Sequence, residues 1–115
     1  MQIDDQVQAY LWDICEAARE ISGFVRGVKF DEFEKNKVLR YAVERQLHMI
    51  GEVAAHLSPR FRKKHPEIDW VKLSELRNII AHQYGDAVTK RVWLAATESL
   101  PEMLVPLEKL LSNKI

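Results

Sequence analysis

The sequence contains little cysteine, glycine or proline. Its one cysteine, Cys15, excludes an internal disulfide and is typical of a protein kept in a reducing compartment. Four glycines and four prolines among 115 residues supply few turns, so the elements between them must be few and long. With 47% hydrophobic and 30% charged residues, the composition predicts one soluble all-α domain over residues 1–115, with Cys15 in its core.

The sequence also has no net charge and no long apolar run, and no secretory leader is expected. Seventeen basic and 17 acidic residues cancel, so any contact with nucleic acid requires a local patch of positive charge. The start of the chain is acidic at Asp4 and Asp5, and no apolar run approaches the roughly 20 residues of a membrane span. We therefore expect a cytoplasmic protein with no membrane contact.

The apolar spacing predicts an antiparallel helical bundle of four to five helices. The first helix is expected from about Asp5 to Val25, and the second from Asp31, as one element, until Pro59 ends it. Gly51 lies inside the second helix, where glycine costs about 1 kcal/mol relative to alanine. A close helix crossing or a subunit contact at Gly51 would explain that cost.

The third and fourth helices are separated by Gly85. Asp69 is the expected N-cap of the third helix, and Gly85 is expected to close it because glycine accepts the left-handed conformation. Asp86 is expected to cap the fourth helix, which Pro101 and Pro106 should kink or split. The residues of the third helix expected to pack inward are Trp70, Leu73, Leu76 and Ile80.

Four polar residues cluster near the end of the third helix: Arg77, Asn78, His82 and Tyr84. At roughly 100° per residue, Arg77 and Tyr84 lie almost one above the other, and Asn78 and His82 share a second line. Arg77 and His82 are about 140° apart, so one copy aims them together only if the helix distorts. A two-fold axis would instead bring two arginines and two histidines into one cleft, which predicts a dimer.

The spacing of Arg77, His82 and Tyr84 resembles the R-x4-H-x-Y motif of HEPN domains, in the HepT branch of bacterial and archaeal toxins. Asn78 fits the family's preference for a polar residue after the arginine. The resemblance extends from the helix near Asp5 to Leu111. Its other similar positions are Ile50, Gly51, Glu52, Trp93, Leu100 and Pro101.

The resemblance implies a HEPN-like two-fold dimer and a metal-independent endoribonuclease. It assigns catalysis to Arg77 and His82, contributed by two protomers across the dimer cleft, with Asn78 in support and with no cofactor or metal. RNA carries its own nucleophile, the 2′-hydroxyl, so cleavage requires a base, a donor to the leaving oxygen and positive charge on the phosphorane. Histidine titrates near neutrality, and arginine donates two parallel bonds to phosphate.

The resemblance also implies a partner and a modification. In the family, the motif tyrosine receives AMP groups from an MntA-type nucleotidyltransferase, the antitoxin of a type VII toxin–antitoxin system, and this silences the nuclease. Tyr84 is therefore the expected AMPylation site, and the added phosphates would place negative charge beside Arg77. A packed tyrosine whose hydroxyl bonds to a neighbour is the alternative.

The only concentrated positive run precedes the third helix and includes Arg60, Arg62, Lys63 and Lys64. These residues are candidates for contact with RNA phosphates, and Phe61 between them would anchor the loop or stack on a base. The other interpretation is a solvated connector.

The second helix carries three possible metal ligands along one side, since His48, Glu52 and His56 recur at four-residue intervals. Three ligands strung over more than two turns of a straight helix cannot all reach one ion, although a pair could join a site with another helix. Glu52 could instead line the cleft and pair with Arg77. Solvated or hydrogen-bonded side chains are the remaining interpretation.

Two other classes of function fit the sequence. A non-catalytic helical partner subunit of a nucleotidyltransferase agrees with the zero net charge. A structural dimerisation domain would tolerate replacement of Arg77 and His82. The retention of both Arg77 and His82 favours the nuclease, with tRNA, messenger or another RNA as its target.

Overall fold

A computed structural model of the chain describes residues 5–81 and 86–112, apart from the side chains of residues 79, 80, 81 and 86. These residues form helices and short turns, with no strand among them, so the all-α prediction is confirmed. The helices are α1 (Asp5–Val25), α2 (Phe30–Lys35), α3 (Lys37–Ala55), α4 (Pro59–Lys64), α5 (Trp70–Ala81), α6 (Asp86–Leu94) and α7 (Leu100–Ser112), and a π-helical turn (Ala95–Ser99) joins α6 to α7.

Helix α1 ends at Val25, as predicted, and buries one face along most of its length. Leu11, Ile14, Cys15 and Ile21 on this face have no solvent exposure. Burial raises the pKa of the Cys15 thiol to about 11, so the thiol stays protonated at neutral pH. Cys15 is a core residue, as predicted.

The predicted second helix is interrupted at Asn36, so its expected continuity from Asp31 was wrong. The Asn36 backbone is extended, and its side-chain oxygen accepts a hydrogen bond from the Leu39 backbone N–H at 3.0 Å. This side chain satisfies one of the free amides of a new helix, which favours a start at this point over continuation. The break allows α2 to bury Phe33 completely, with its ring 5.1 Å from the ring of Trp93.

Helix α4 contains the basic run, which the sequence placed in a connector. Pro59 does not merely follow α3; it occupies the first turn of α4, where its missing N–H has no bond to make. The Ser58 hydroxyl caps this turn by accepting from the Phe61 backbone N–H at 3.1 Å. The basic residues are therefore presented on a helix.

Helix α5 begins as predicted. The Asp69 carboxylate accepts a hydrogen bond from the Lys72 backbone N–H at 3.0 Å, which confirms the N-cap. Trp70, Leu73 and Leu76 are buried, as expected. The Ile80 side chain and Gly85, the predicted end of this helix, lie outside the described residues.

The last helix changes its winding before Pro101. The backbone N–H of Leu100 bonds to the carbonyl of Ala95 five residues earlier, the hydrogen bond of a π-helix. The wider turn relieves the clash between the Pro101 ring and the preceding turn. The predicted split therefore occurs beside Pro101, whereas α7 continues through Pro106.

Helix α3 packs against both α1 and α5. It is antiparallel to α1, because Tyr10 stacks on His56 near one end of the pair and Gln46 donates to Glu20 near the other. Its crossing with α5 is close at Gly51, where an added Cβ would lie 2.6 Å from the Arg77 backbone nitrogen. The close crossing that Gly51 predicted is confirmed.

The part of the chain that the structure describes contains no helix with the length and apolar character needed to span a bilayer.

We predict that Gly51→Ala destabilises the fold by about 1–3 kcal/mol, because the backbone of α5 must move away from the new methyl group. Gly23→Ala is the matched control: a Cβ at this position in α1 meets nothing within 4 Å. It should stabilise the protein by about 0.5–1 kcal/mol, since alanine is the better helix former. Urea unfolding followed by circular dichroism measures both, and equal effects would contradict the close crossing.

Candidate active site

Arg77 emerges from the crossing of α3 and α5 onto a partly exposed surface. Its backbone is held against Gly51, and its side chain keeps 39% of its surface exposed. The guanidinium Nη1 lies 3.9 Å from the Glu52 Oε2, so the predicted pairing of Arg77 with Glu52 is confirmed. An arginine in this position can offer its remaining N–H donors to a phosphate.

The Glu52 carboxylate lies between two partners. Its other oxygen, Oε1, is 3.6 Å from the His48 Nε2, one turn earlier on α3. His48 and Glu52 are 44% and 47% exposed, so water screens their interaction. His48, Glu52 and Arg77, which we call the α3–α5 polar cluster, form a continuous accessible surface that joins two helices.

His56 does not belong to this cluster. Its ring stacks on Tyr10 of α1, with the two centroids 5.9 Å apart. His48 therefore pairs with Glu52, whereas His56 packs against α1. Among residues 5–81 and 86–112, no three histidine, cysteine, aspartate or glutamate side chains are grouped as metal ligands.

Asn78 faces a different neighbour from Arg77. It is exposed and lines a cleft of about 430 Å³ between α5 and the α6–π segment. Lys72 and Glu75 line this cleft from α5, and Arg91 and Leu94 line it from α6. Asn78 follows Arg77 on α5, so its side chain is rotated by roughly 100° from that of Arg77 about the helix axis. This rotation separates Asn78 from the α3–α5 polar cluster. Its supporting role stays a prediction.

His82 and Tyr84, the expected catalytic and AMPylated residues, lie outside the described residues. The motif is therefore located by Arg77 and Asn78. These two residues already show that the end of α5 presents polar groups on two sides. The meeting of His82 and Arg77 across a dimer cleft stays a prediction.

The basic residues of α4 divide into two groups. Arg62 donates its Nε–H to the Leu57 carbonyl at 3.0 Å in a partly buried contact, which ties α4 to the end of α3. Arg60, Lys63 and Lys64 are exposed. Contact with RNA stays a prediction for all four, but Arg62 also has a structural role that its place in the basic run did not reveal.

Phe61 anchors α4 to the body of the protein. Its ring lies 4.6 Å from the ring of His65 and 5.9 Å from that of Trp70. The Trp70 indole N–H in turn donates to the His65 carbonyl at 2.8 Å. The anchoring interpretation of Phe61 is thus confirmed.

Sequence reasoning missed one feature of this surface. Lys72 and Arg91 join Asn78 at one cleft although they come from different helices, and spacing along one helix carries no signal for such a meeting. The link from His48 to Glu52 did have a signal, since residues four apart on a helix are neighbours.

The comparisons with known proteins agree with this architecture. A family model described as ribonuclease HepT-like matches residues 14–110. The match includes α3, α5 and the whole R-x4-H-x-Y segment. The chain belongs to the ribonuclease HepT-like family, and the resemblance to HepT-type HEPN domains is confirmed.

Similar proteins occur in archaea and bacteria. A candidate RNase of Methanocaldococcus jannaschii is 36% identical over 97 residues, covering 84% of this chain and 89% of that protein. A probable ribonuclease HepT of Thermococcus cleftensis is 34% identical over 101 residues, covering 88% and 92%. A candidate RNase of Caldanaerobacter subterraneus is 28% identical over 105 residues, covering 91% and 94%. No solved structure matches the chain significantly.

We predict different consequences for two arginines of α4. Arg62→Ala should lower the free energy of unfolding by about 0.5–1.5 kcal/mol, because the Leu57 carbonyl loses its donor. Arg60→Ala should leave stability within about 0.5 kcal/mol, since the side chain is exposed. Thermal unfolding of both variants tests the division, and equal losses would contradict it.

Proposed function

We propose that this protein is a metal-independent endoribonuclease and the toxin of a type VII toxin–antitoxin pair. The observation that supports the proposal most directly is the position of Arg77. It opens the family's R-x4-H-x-Y motif, and α5 presents it, partly exposed, beside a glutamate of α3. The match to the ribonuclease HepT-like family and the ribonuclease names of several relatives support the same activity.

In the proposed reaction, Arg77 binds the scissile phosphate and His82 handles the proton. The guanidinium offers planar donors that match two phosphate oxygens and neutralise the charge that develops on the phosphorane. The imidazole of His82 removes the proton of the 2′-hydroxyl or donates one to the leaving 5′-oxygen. The products are a 2′,3′-cyclic phosphate and a 5′-hydroxyl, and the step needs no external nucleophile.

We further propose that the active form is a two-fold dimer. A second copy of the motif would supply the second acid–base group that the reaction uses, because the spacing of Arg77 and His82 directs their side chains apart on one helix. Asn78 would support the cleft, and the exposed basic residues of α4 would extend it along the RNA backbone.

The proposed antitoxin is an MntA-like nucleotidyltransferase that forms a heteromeric complex with this protein in the cytoplasm and transfers AMP to Tyr84. The phenol oxygen would attack the α-phosphorus of ATP and release pyrophosphate. Each AMP group would add negative phosphate charge at a residue seven positions after Arg77 in the sequence, where it would compete with the RNA phosphate.

We expect the purified, unmodified protein to cleave total RNA or a tRNA pool in the presence of EDTA. Arg77→Ala and His82→Ala should each reduce the cleavage rate by at least about 100-fold, because each removes charge stabilisation or proton transfer. Gel electrophoresis of the products measures the loss. Arg26→Ala, which removes an exposed arginine outside the motif, is the matched control and should cleave normally.

Two results would overturn parts of this assignment. Cleavage that persists in both variants would exclude Arg77 and His82 as the catalytic pair. No cleavage by protein that mass spectrometry shows to be unmodified would favour the non-catalytic partner subunit.

We expect an MntA-type nucleotidyltransferase and ATP to add AMP to Tyr84 and to abolish cleavage. Tyr84→Phe lacks the accepting hydroxyl, so it should gain no mass and should keep its nuclease activity under the same treatment. Tyr41→Phe is the control, because Tyr41 is an exposed tyrosine, at 58%, outside the motif. Peptide mass spectrometry locates the adduct, and AMP on Tyr84→Phe would contradict the site.

A further inference from the structure

We propose that Glu52 is a positioning residue that directs the Arg77 guanidinium toward the RNA phosphate, with His48 holding the carboxylate from its other side. The inference rests on the proposed function, because it gives Glu52 a purpose only if Arg77 binds phosphate. It assigns a role to a residue outside the R-x4-H-x-Y motif.

The backbone at the α3–α5 crossing places Glu52 next to Arg77. The α3–α5 crossing leaves no room for a side chain at Gly51, where an added Cβ would lie 2.8 Å from the Arg77 Cβ. The residue that follows Gly51 is therefore fixed beside the base of the Arg77 side chain. The same close approach that stabilises the fold brings Glu52 to the guanidinium.

The Arg77 side chain must be held in one direction to bind phosphate. Arginine has many rotamers, and a partly exposed one loses freedom when it must meet a phosphate in one orientation. The Nη1–Oε2 distance of 3.9 Å is longer than a hydrogen bond but within range of charge attraction. Glu52 therefore restricts the direction of Arg77. Among the described residues, the opposite edge of the guanidinium, Nε and Nη2, has no partner and can bind phosphate through two parallel hydrogen bonds.

The Glu52 carboxylate is itself held by two partners. Glu52 uses one oxygen toward Arg77 and the other toward His48, whose Nε2 is 3.6 Å away. A partner at each oxygen restricts a carboxylate more than one partner does. The three side chains thus form an ordered row from α3 to α5.

The sign of the effect separates positioning from simple electrostatics. A negative charge near a phosphate site repels RNA, so removal of Glu52 should tighten binding if charge alone decides the outcome. If Glu52 directs Arg77, its removal should weaken binding although the site becomes more positive. The two explanations predict opposite changes in the dissociation constant.

The experiment measures the affinity for a fluorescent single-stranded RNA whose 2′-O-methyl groups prevent cleavage. We expect Glu52→Ala to weaken binding about three- to tenfold and to lower kcat on cleavable RNA, an effect in the range of couplings between touching residues. Glu52→Gln keeps the shape of the side chain but loses the charge that attracts the guanidinium, so it should weaken binding as well. In the Arg77→Ala background, Glu52→Ala should cause no further loss.

Glu16→Ala is the matched control. Glu16 is a 49% exposed glutamate on α1, paired with Arg19 at 3.6 Å, so it resembles Glu52 in exposure and partner but lies outside the polar cluster. Its affinity and kcat should equal those of the unaltered protein. Circular dichroism establishes that each variant is folded; if Glu52→Ala is not, the Glu52→Gln variant still tests the sign.

The outcomes distinguish the inference from the function on which it rests. Tighter binding by Glu52→Ala or Glu52→Gln, or an equal loss with and without Arg77, would overturn the positioning role. Weaker binding by Arg77→Ala with normal binding by Glu52→Ala would overturn it as well, but would leave phosphate binding by Arg77 intact. Normal binding and cleavage by Arg77→Ala would overturn the proposed function, and the positioning role with it.

Discussion

The contact between Gly51 and the backbone of Arg77 is the constraint on which the rest of the structure depends. Because position 51 has no side chain, α5 approaches α3 closely, and Leu73 and Leu76 are buried in the same core as Ile50. A single added methyl group would separate the two helices and open the packed interior. The same approach fixes where Arg77 leaves the helix surface, so packing and the candidate site share one geometric cause.

The two faces of helix α3 have different roles. The inner face carries Val43, Leu47, Ile50 and Ala54, all without solvent exposure, and it holds α1 and α5 together. The outer face carries His48 and Glu52, which are about half exposed. Contacts between charged side chains at such exposure add little to stability. The outer face can therefore serve binding while the inner face maintains the fold.

Helices α3 and α4 are positioned by side chains that bond to free backbone groups near their ends. Asn36 and Ser58 cap α3 and α4, and Arg62 donates to the carbonyl of Leu57 where α3 ends. Phe61 then fixes α4 against Trp70 at the start of α5. The exposed basic residues of α4 consequently have a defined location relative to α5. A flexible connector would have left their positions relative to Arg77 open.

The sequence by itself determined the helical class, the end of α1, the Asp69 cap, the close crossing at Gly51 and the family motif. These depend on local signals: apolar period, capping side chains and the space available to a glycine. Only the tertiary structure decided the break at Asn36, because the apolar stripe continues on both sides of it and the burial of Phe33 selects the interruption. It also placed Asn78 apart from Arg77 and joined His48, Glu52 and Arg77 in one row. Those arrangements depend on how separate helices rotate and approach when their apolar faces pack, and spacing within one helix carries no information about that.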